Sequence, residues 1–314
     1  MKTQAVVIPE AGRIELRTVE LTPLGSDDVL VATLYTSISA GTERMLLSGR
    51  LPHPMLQFPV VPGYETVGRV IAAGGPAGEH LVDQTVFVGG SRGYVAVNGA
   101  WGGQAAQLVV PAQRVVPLGD LAPQAGTLIA LAATALHGVD LLQLGADAQV
   151  LVLGQGPVGQ MAARWAKSRN ARVTAADQTT ARLALSEADV VIDVEHTPLS
   201  NLDTRFDIII EASGSMAALS TGLSVLAPGG TILLLGFYDM LQLPYMPLFL
   251  REARLLTAKE WSPGDPERAR DFLQGSTTVG RLLTHTLPVT EVQQAYELAL
   301  HDSSCLKLVL NWEV

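Results

Sequence analysis

Val150-Leu-Val-Leu-Gly154-Gln-Gly156-Pro157-Val158-Gly159, followed by Val173-Thr-Ala-Ala-Asp177, decides how the rest of the chain is read. An apolar run enters Gly-x-Gly-x-x-Gly, a helical pattern follows, and a second apolar run ends on an acid. That order predicts strand, glycine turn, helix, strand, acid. Gly154 lets the chain turn sharply after the strand. Gly156 has no side chain to hold the backbone away from a pyrophosphate, and Gly159 lets the helix pack closely on the strand. The helix N-terminus that follows, from Pro157 and Val158 on, offers free N–H groups (Pro157 itself has none) and a partial positive charge to phosphates. Asp177 can accept hydrogen bonds from adenosine ribose hydroxyls. It would repel a 2′-phosphate, so NAD is expected over NADP, although Gln178 and Arg182 stand close by. The bland alternative is an ordinary glycine turn.

Composition bounds the rest. The chain has 314 residues, 48% hydrophobic and 16% charged, enough for one large or two ordinary domains with real cores. A net charge of −9 with no Lys/Arg run makes nucleic acid and anionic membrane surfaces poor partners. Cys305 is the single cysteine, so no intramolecular disulfide can form. The opening Met1-Lys-Thr-Gln-Ala-Val-Val-Ile-Pro is interrupted too soon for a signal peptide. No apolar run approaches the roughly 20 residues of a membrane span. A cytoplasmic, soluble protein is expected.

Up to about residue 120 the sequence reads as short apolar runs broken by Gly and Pro: Ala5–Ile8, Val29–Leu34, Thr66–Ala72, Thr85–Val88 and Gln107–Val110. This half is β-rich. Ala125–Leu144 then reads as one helix, and strands at 150–153, 172–176, 190–193, 207–211 and 230–235 alternate with helices. Such alternation predicts a parallel sheet covered on both faces. Leu255–Lys259, helices at 263–274 and 290–300, and a strand at 306–310 turn the chain back.

Ile38-Ser-Ala-Gly-Thr-Glu43, Pro62-Gly-Tyr-Glu65, Ile209-Ile-Glu-Ala-Ser-Gly214 and Val225-Leu-Ala-Pro-Gly-Gly-Thr-Ile232 resemble segments of the medium-chain dehydrogenase/reductase superfamily. The resemblance covers nearly the whole chain. It implies an α/β fold: a GroES-like β-rich catalytic domain from residues 1–121 and 255–314, and a Rossmann doubly wound parallel-sheet NAD-binding domain from residues 122–254. Many superfamily members bind a catalytic zinc through Cys, His and Cys. The matching positions here are Ala40 (or Ser39), Tyr64 and about Ala133, which are poor zinc ligands. No bound metal is therefore expected.

One member family fits further. Thr36-Ser-Ile-Ser-Ala-Gly-Thr-Glu43, Val61-Pro-Gly-Tyr-Glu65, Trp101-Gly-Gly-Gln-Ala-Ala106 and Leu128-Ile-Ala-Leu-Ala-Ala-Thr-Ala135 belong to this resemblance. So do Gly236-Phe-Tyr238, Ala258-Lys-Glu-Trp261 and Cys305-Leu-Lys-Leu-Val-Leu-Asn-Trp312. Together they resemble the bacteriochlorophyllide a dehydrogenases of phototrophic bacteria. The resemblance implies oxidation of the 3-(1-hydroxyethyl) group of a bacteriochlorin to 3-acetyl, with NAD. The sequence departs from that family's pattern at Val88–Tyr94 and at Gln155-Gly156-Pro157. The partner is then a small-molecule tetrapyrrole, and whether two copies form a homodimer stays open.

Oxidising a secondary alcohol requires a proton to leave the oxygen as the hydride leaves the carbon, so a relay must sit within hydrogen-bond reach. The resemblance assigns that relay to Thr42; a turn Thr bonding its own backbone is the plainer alternative. Tyr64 stands at a metal-ligand position and could bond the substrate oxygen, or merely plug the space. Glu65 could receive the proton, or pair with Arg or Lys; Glu43 is a weaker version of the same. His137 lies near the third ligand position, with simple packing as the alternative. The resemblance places Lys307 on the cofactor pyrophosphate, and Ser213, Gly214, Gly236 and Phe237 under the nicotinamide. Met45, Trp101, Tyr238 and Trp261, with Leu51 and Phe249, are candidates for an apolar wall against a flat macrocycle, and Ser39 is a candidate substrate contact. Generic core packing explains them equally. His53, His80, His196, His285 and His301 read as surface residues. Two rivals remain: a zinc-free NADPH quinone or enoyl reductase, which Asp177 argues against, and a non-catalytic NAD-binding pigment carrier.

Overall fold

The computed structural model describes residues 1–51 and 56–313; His53 lies outside the described residues. Two compact units divide the chain, Met1–Ala130 with Arg270–Val314, and Leu131–Ala269.

The first unit is built on strand Lys2–Glu10, whose Ala-Val-Val-Ile run is buried on both faces. Ala5 and Val7 enter one apolar cluster, Val6 and Ile8 another. A continuous run is what a strand between two cores requires, because successive side chains point to opposite faces. Strand Arg13–Leu21 pairs antiparallel with it. Its many charges hide it from an apolar-run reading. A second sheet centres on Asp28–Ser37, which pairs with Thr66–Ala73, Gln107–Pro111 and the C-terminal strand Leu308–Asn311. Both ends of the chain therefore build this unit. Helix Val292–His301 packs Ala295, Tyr296 and Ala299 into the cluster that holds Ile38, Leu46 and Cys305.

The second unit is a six-stranded parallel sheet. Its strand order is Val190–Asp193, Arg172–Asp177, Gln149–Leu153, Phe206–Glu211, Leu226–Leu234, Arg254–Thr257. This is the doubly wound order of dinucleotide-binding folds. Strand Gln149–Leu153 is central and apolar on both faces, as a covered parallel sheet demands.

Three expectations are corrected. Residues 254–257 form the sixth strand, in register with Thr231–Leu234, so the second unit reaches Ala269 and does not end at 254. Backbone pairing decides this, and an apolar run does not reveal which sheet it joins. Residues 122–130 belong with the first unit, since the helix Pro123–Gly126 packs there. A Cβ on Gly126 would lie 2.8 Å from Leu118 and 2.9 Å from Val67. The single helix expected over 125–144 is two, Pro123–Gly126 and Ile129–Leu141. Among the described residues no helix is long and apolar enough to cross a membrane.

Candidate active site

Three hydroxyls meet in the first unit. Ser39 precedes helix Ala40–Leu47, which carries Thr42 and Glu43. Tyr64 follows Gly63, whose φ of +93° admits little but glycine. The Tyr64 hydroxyl lies 2.5 Å from Ser39 Oγ and 3.2 Å from Thr42 Oγ1. The Trp101 ring sits 5.4 Å from the Tyr64 ring, tilted by 59°. Burial, then the nearby Glu65 charge, push the Tyr64 phenol well above its ordinary value. Tyr64 therefore stays protonated near neutrality and suits donation and relay, not service as a base.

Glu65 stands behind this cluster. It accepts from the Ser37 hydroxyl and pairs with Lys307, and the two charged side chains are 0% and 1% exposed. Lys307 also donates to the Ile38 carbonyl at 2.9 Å. The structure places the Lys307 charge on this buried carboxylate, and the pyrophosphate contact stays what the resemblance implies. Glu65 is likewise a structural ion-pair partner, the plainer of its two sequence readings.

The donor set does not fit zinc. Ala40 and Ala133 offer no donor, Tyr64 keeps its proton, and Cys305 is buried in an apolar cluster. Among the described residues no three His, Cys, Asp or Glu side chains are grouped to hold a metal ion.

The second unit carries the glycine turn. Gly154 has φ +87°, and a Cβ there would lie 2.7 Å from the Ser213 nitrogen. A Cβ on Gly159 would collide with the Gly154 carbonyl oxygen, whereas one on Gly156 would meet nothing within 4 Å. Gly156 thus borders open space at the start of helix Pro157–Ser168, which includes Val158. Asp177 Oδ2 accepts from Gln155 N at 2.6 Å and Oδ1 from Thr179 N at 2.7 Å. Each oxygen keeps a further lone pair for a ribose hydroxyl. These features fit a dinucleotide. Gly156→Ala should keep the melting temperature yet weaken dinucleotide binding by about tenfold or more, because the added methyl blocks the close approach of the phosphates. Gly159→Ala should lower both, and calorimetry with titration of the nucleotide separates the two.

Sequence reasoning missed Glu211 as an organiser. Fully buried, it accepts from Ser213 N at 2.8 Å, Gly214 N at 3.1 Å, the Ser213 hydroxyl and the Tyr238 hydroxyl. An acid ending the apolar run Ile208-Ile-Ile is the available signal. Gly236 lies against the same turn, where a Cβ would come within 2.5 Å of Gly214 N, while Phe237 is exposed. Tyr238, expected in an apolar wall, gives its hydroxyl to Glu211, and burial with that carboxylate pushes its phenol upward.

His137 Nδ1 lies 3.1 Å from Ser262 Oγ and 3.8 Å from Asp265, which favours its packing role over catalysis. Leu51 is buried in the Ile38–Tyr296 cluster, and Met45 packs against it, partly buried. Trp261 is part-buried and Phe249 exposed in the second unit.

Residues 25–120 match the alcohol dehydrogenase GroES-like domain and residues 157–274 the zinc-binding dehydrogenase family. A solved short chain alcohol dehydrogenase (RspB) from Escherichia coli CFT073, complexed with NADH, superposes with a TM-score of 0.86 over 99% of both chains at 21% identity. Fold and matches define the class, an oxidoreductase of the medium-chain dehydrogenase/reductase superfamily. The 2-desacetyl-2-hydroxyethyl bacteriochlorophyllide A dehydrogenase of Cereibacter sphaeroides is 33% identical over 99% of both chains. Its counterpart in Rhodobacter capsulatus is 32% identical over 100% of this chain and 99% of its own. The chain belongs to this bacteriochlorophyllide A dehydrogenase family.

Proposed function

We propose that the chain oxidises the 3-(1-hydroxyethyl) group of a bacteriochlorophyllide to 3-acetyl, with NAD and without zinc, as a cytoplasmic step of bacteriochlorophyll a synthesis. The observation that carries this reading is the Tyr64 hydroxyl within reach of both Ser39 and Thr42, at a position that the superfamily resemblance matches to a metal ligand. A bound nicotinamide supplies the hydride acceptor. The glycine turn and the start of helix Pro157–Ser168 hold the pyrophosphate, and Asp177 holds the ribose. Glu211 fixes the Ser213–Gly214 turn and Tyr238. Tyr64 and Thr42 bond the substrate oxygen and, as the hydride leaves its carbon for the nicotinamide, pass the released proton along their hydroxyls to solvent water. Positioned hydroxyls can replace a Lewis acid here, because what the step needs is a hydrogen-bonded path for one proton.

Incubation of the protein with NAD and 3-(1-hydroxyethyl) bacteriochlorophyllide tests this reading. A red shift of the pigment, as the acetyl group joins the conjugated ring, together with NADH absorbance is expected, in chelator as well as without it. Pigment binding with neither change would sink the reading and favour the carrier. Reduction of quinones with NADPH would favour the reductase.

A further inference from the structure

Glu43 has no role in the scheme above, yet it is 1% exposed and one residue from Thr42. Its Oε1 accepts from Ser39 N at 3.1 Å and from Gln104 Nε2 at 3.1 Å. Its Oε2 accepts from Gln104 Nε2 at 3.1 Å and from the Tyr296 hydroxyl. Gln104 and Tyr296 are buried in turn. Three neutral donors meet this carboxylate. One of them, Ser39, also bonds the Tyr64 hydroxyl through its own Oγ. We infer that Glu43 is a positioning residue for the proposed oxidation: it fixes Ser39, and through Ser39 the Tyr64 hydroxyl, and it sets a proton-dependent charge behind the relay. This inference rests on the oxidation reading.

The same atoms satisfy both protonation states. Ionised Glu43 accepts from all three donors. Protonated, it can donate to the Tyr296 oxygen, whose O–H then turns to Gln104 Oε1, 3.3 Å away. A buried acid with partners in only one state would have a single stable form.

Three groups that titrate or carry charge act on it, and a fourth, Tyr64, feels its charge. Tyr296 comes from helix Val292–His301, Tyr64 and Glu65 from the segment after Gly63, and Lys307 from the approach to the last strand. Burial pushes the Glu43 carboxyl up to about 7; the Tyr296 and Ser39 bonds and Lys307 pull it down, and the Glu65 charge raises it. Ionised Glu43 in turn raises the Tyr64 phenol. The relay hydroxyl is therefore readiest to release a proton while Glu43 holds one.

Linkage gives a readout independent of turnover. Unfolded, Glu43 titrates at its ordinary 4.5; folded, it keeps its proton to about 7. Between those values the folded state binds more protons, so this residue's share of stability is full below pH 4.5 and is lost as pH rises to about 7.

The experiment measures kcat from about pH 5 to 9, and unfolding midpoints over the same range, for wild type, Glu43→Gln and Tyr296→Phe. Wild type should show an inflection near pH 7. Glu43→Gln, neutral at every pH as the protonated acid is, should lose it, with the KM for NAD within about twofold. Its stability should also lose part of its fall with rising pH. Tyr296→Phe removes a bond that stabilises the ionised form, so the inflection should move upward. An active Glu43→Gln that keeps the wild-type inflection, or a Tyr296→Phe inflection that does not move, overturns the inference alone. A wild type that oxidises nothing overturns the oxidation reading; an unchanged stability slope in Glu43→Gln would then overturn the titration of Glu43 as well.

Discussion

Lys307→Met should destabilise the protein by about 3–5 kcal/mol, the range for removing one partner of a buried ion pair. The substitution keeps most of the side-chain volume, so loss of charge dominates over loss of packing. It leaves Glu65 enclosed, with the Ser37 hydroxyl as its remaining donor and its Oε1 without a partner. An isolated carboxylate in such a place is far costlier than a pair. The Ile38 carbonyl also loses its 2.9 Å donor, and that segment leads directly into Ser39. Adding Glu65→Gln should recover a large part of the loss, because the double variant buries no charge. Denaturant unfolding of the two single variants and the double checks this. A single-variant loss below about 1 kcal/mol, or no recovery in the double, would remove the ion pair as a structural element.

Tyr64→Phe should lower kcat by about 10²–10⁴-fold, the usual worth of a positioned proton-transfer group. Thr42→Val should act in the same direction and fall short of additivity, because both hydroxyls belong to one relay. Nucleotide affinity should be unchanged in both, since the glycine turn lies in the other unit. The phenol's elevation implies that Tyr64 stays protonated through neutral and mildly alkaline pH. It acts by exchanging one hydrogen bond for another. Stopped-flow kinetics and nucleotide titration provide the measurements. Wild-type turnover in Tyr64→Phe would take this hydroxyl out of the chemistry.

Most of the second unit is legible in the amino-acid sequence. Gly154, Gly159 and the Asp177 strand obey local rules: a positive φ, a close helix, an acid at a strand end. Local rules survive translation into three dimensions because their causes lie within a few residues. Glu211 shows the limit. Its partners Ser213 and Gly214 are adjacent, but Tyr238 arrives from the end of the next strand, and the sequence alone does not say which way a phenol points. Lys307 escapes a sequence reading for a similar reason. A basic residue at a strand start is compatible with a phosphate or a carboxylate, and only the burial of Glu65 beside it selects the carboxylate.

By itself the sequence determined the order of strands and helices in the nucleotide unit and which hydroxyl-bearing residues stand near the positions that the superfamily resemblance matches to metal ligands. Periodicity and residue chemistry are properties of neighbours along the chain. The tertiary structure decided where the units divide, that Lys307 serves Glu65, and that Glu43 stands behind Ser39 with Gln104 and Tyr296. Those depend on strand pairing and enclosure between residues far apart: Tyr296 and Glu43 are 253 positions distant, and water excluded around them makes their contact matter.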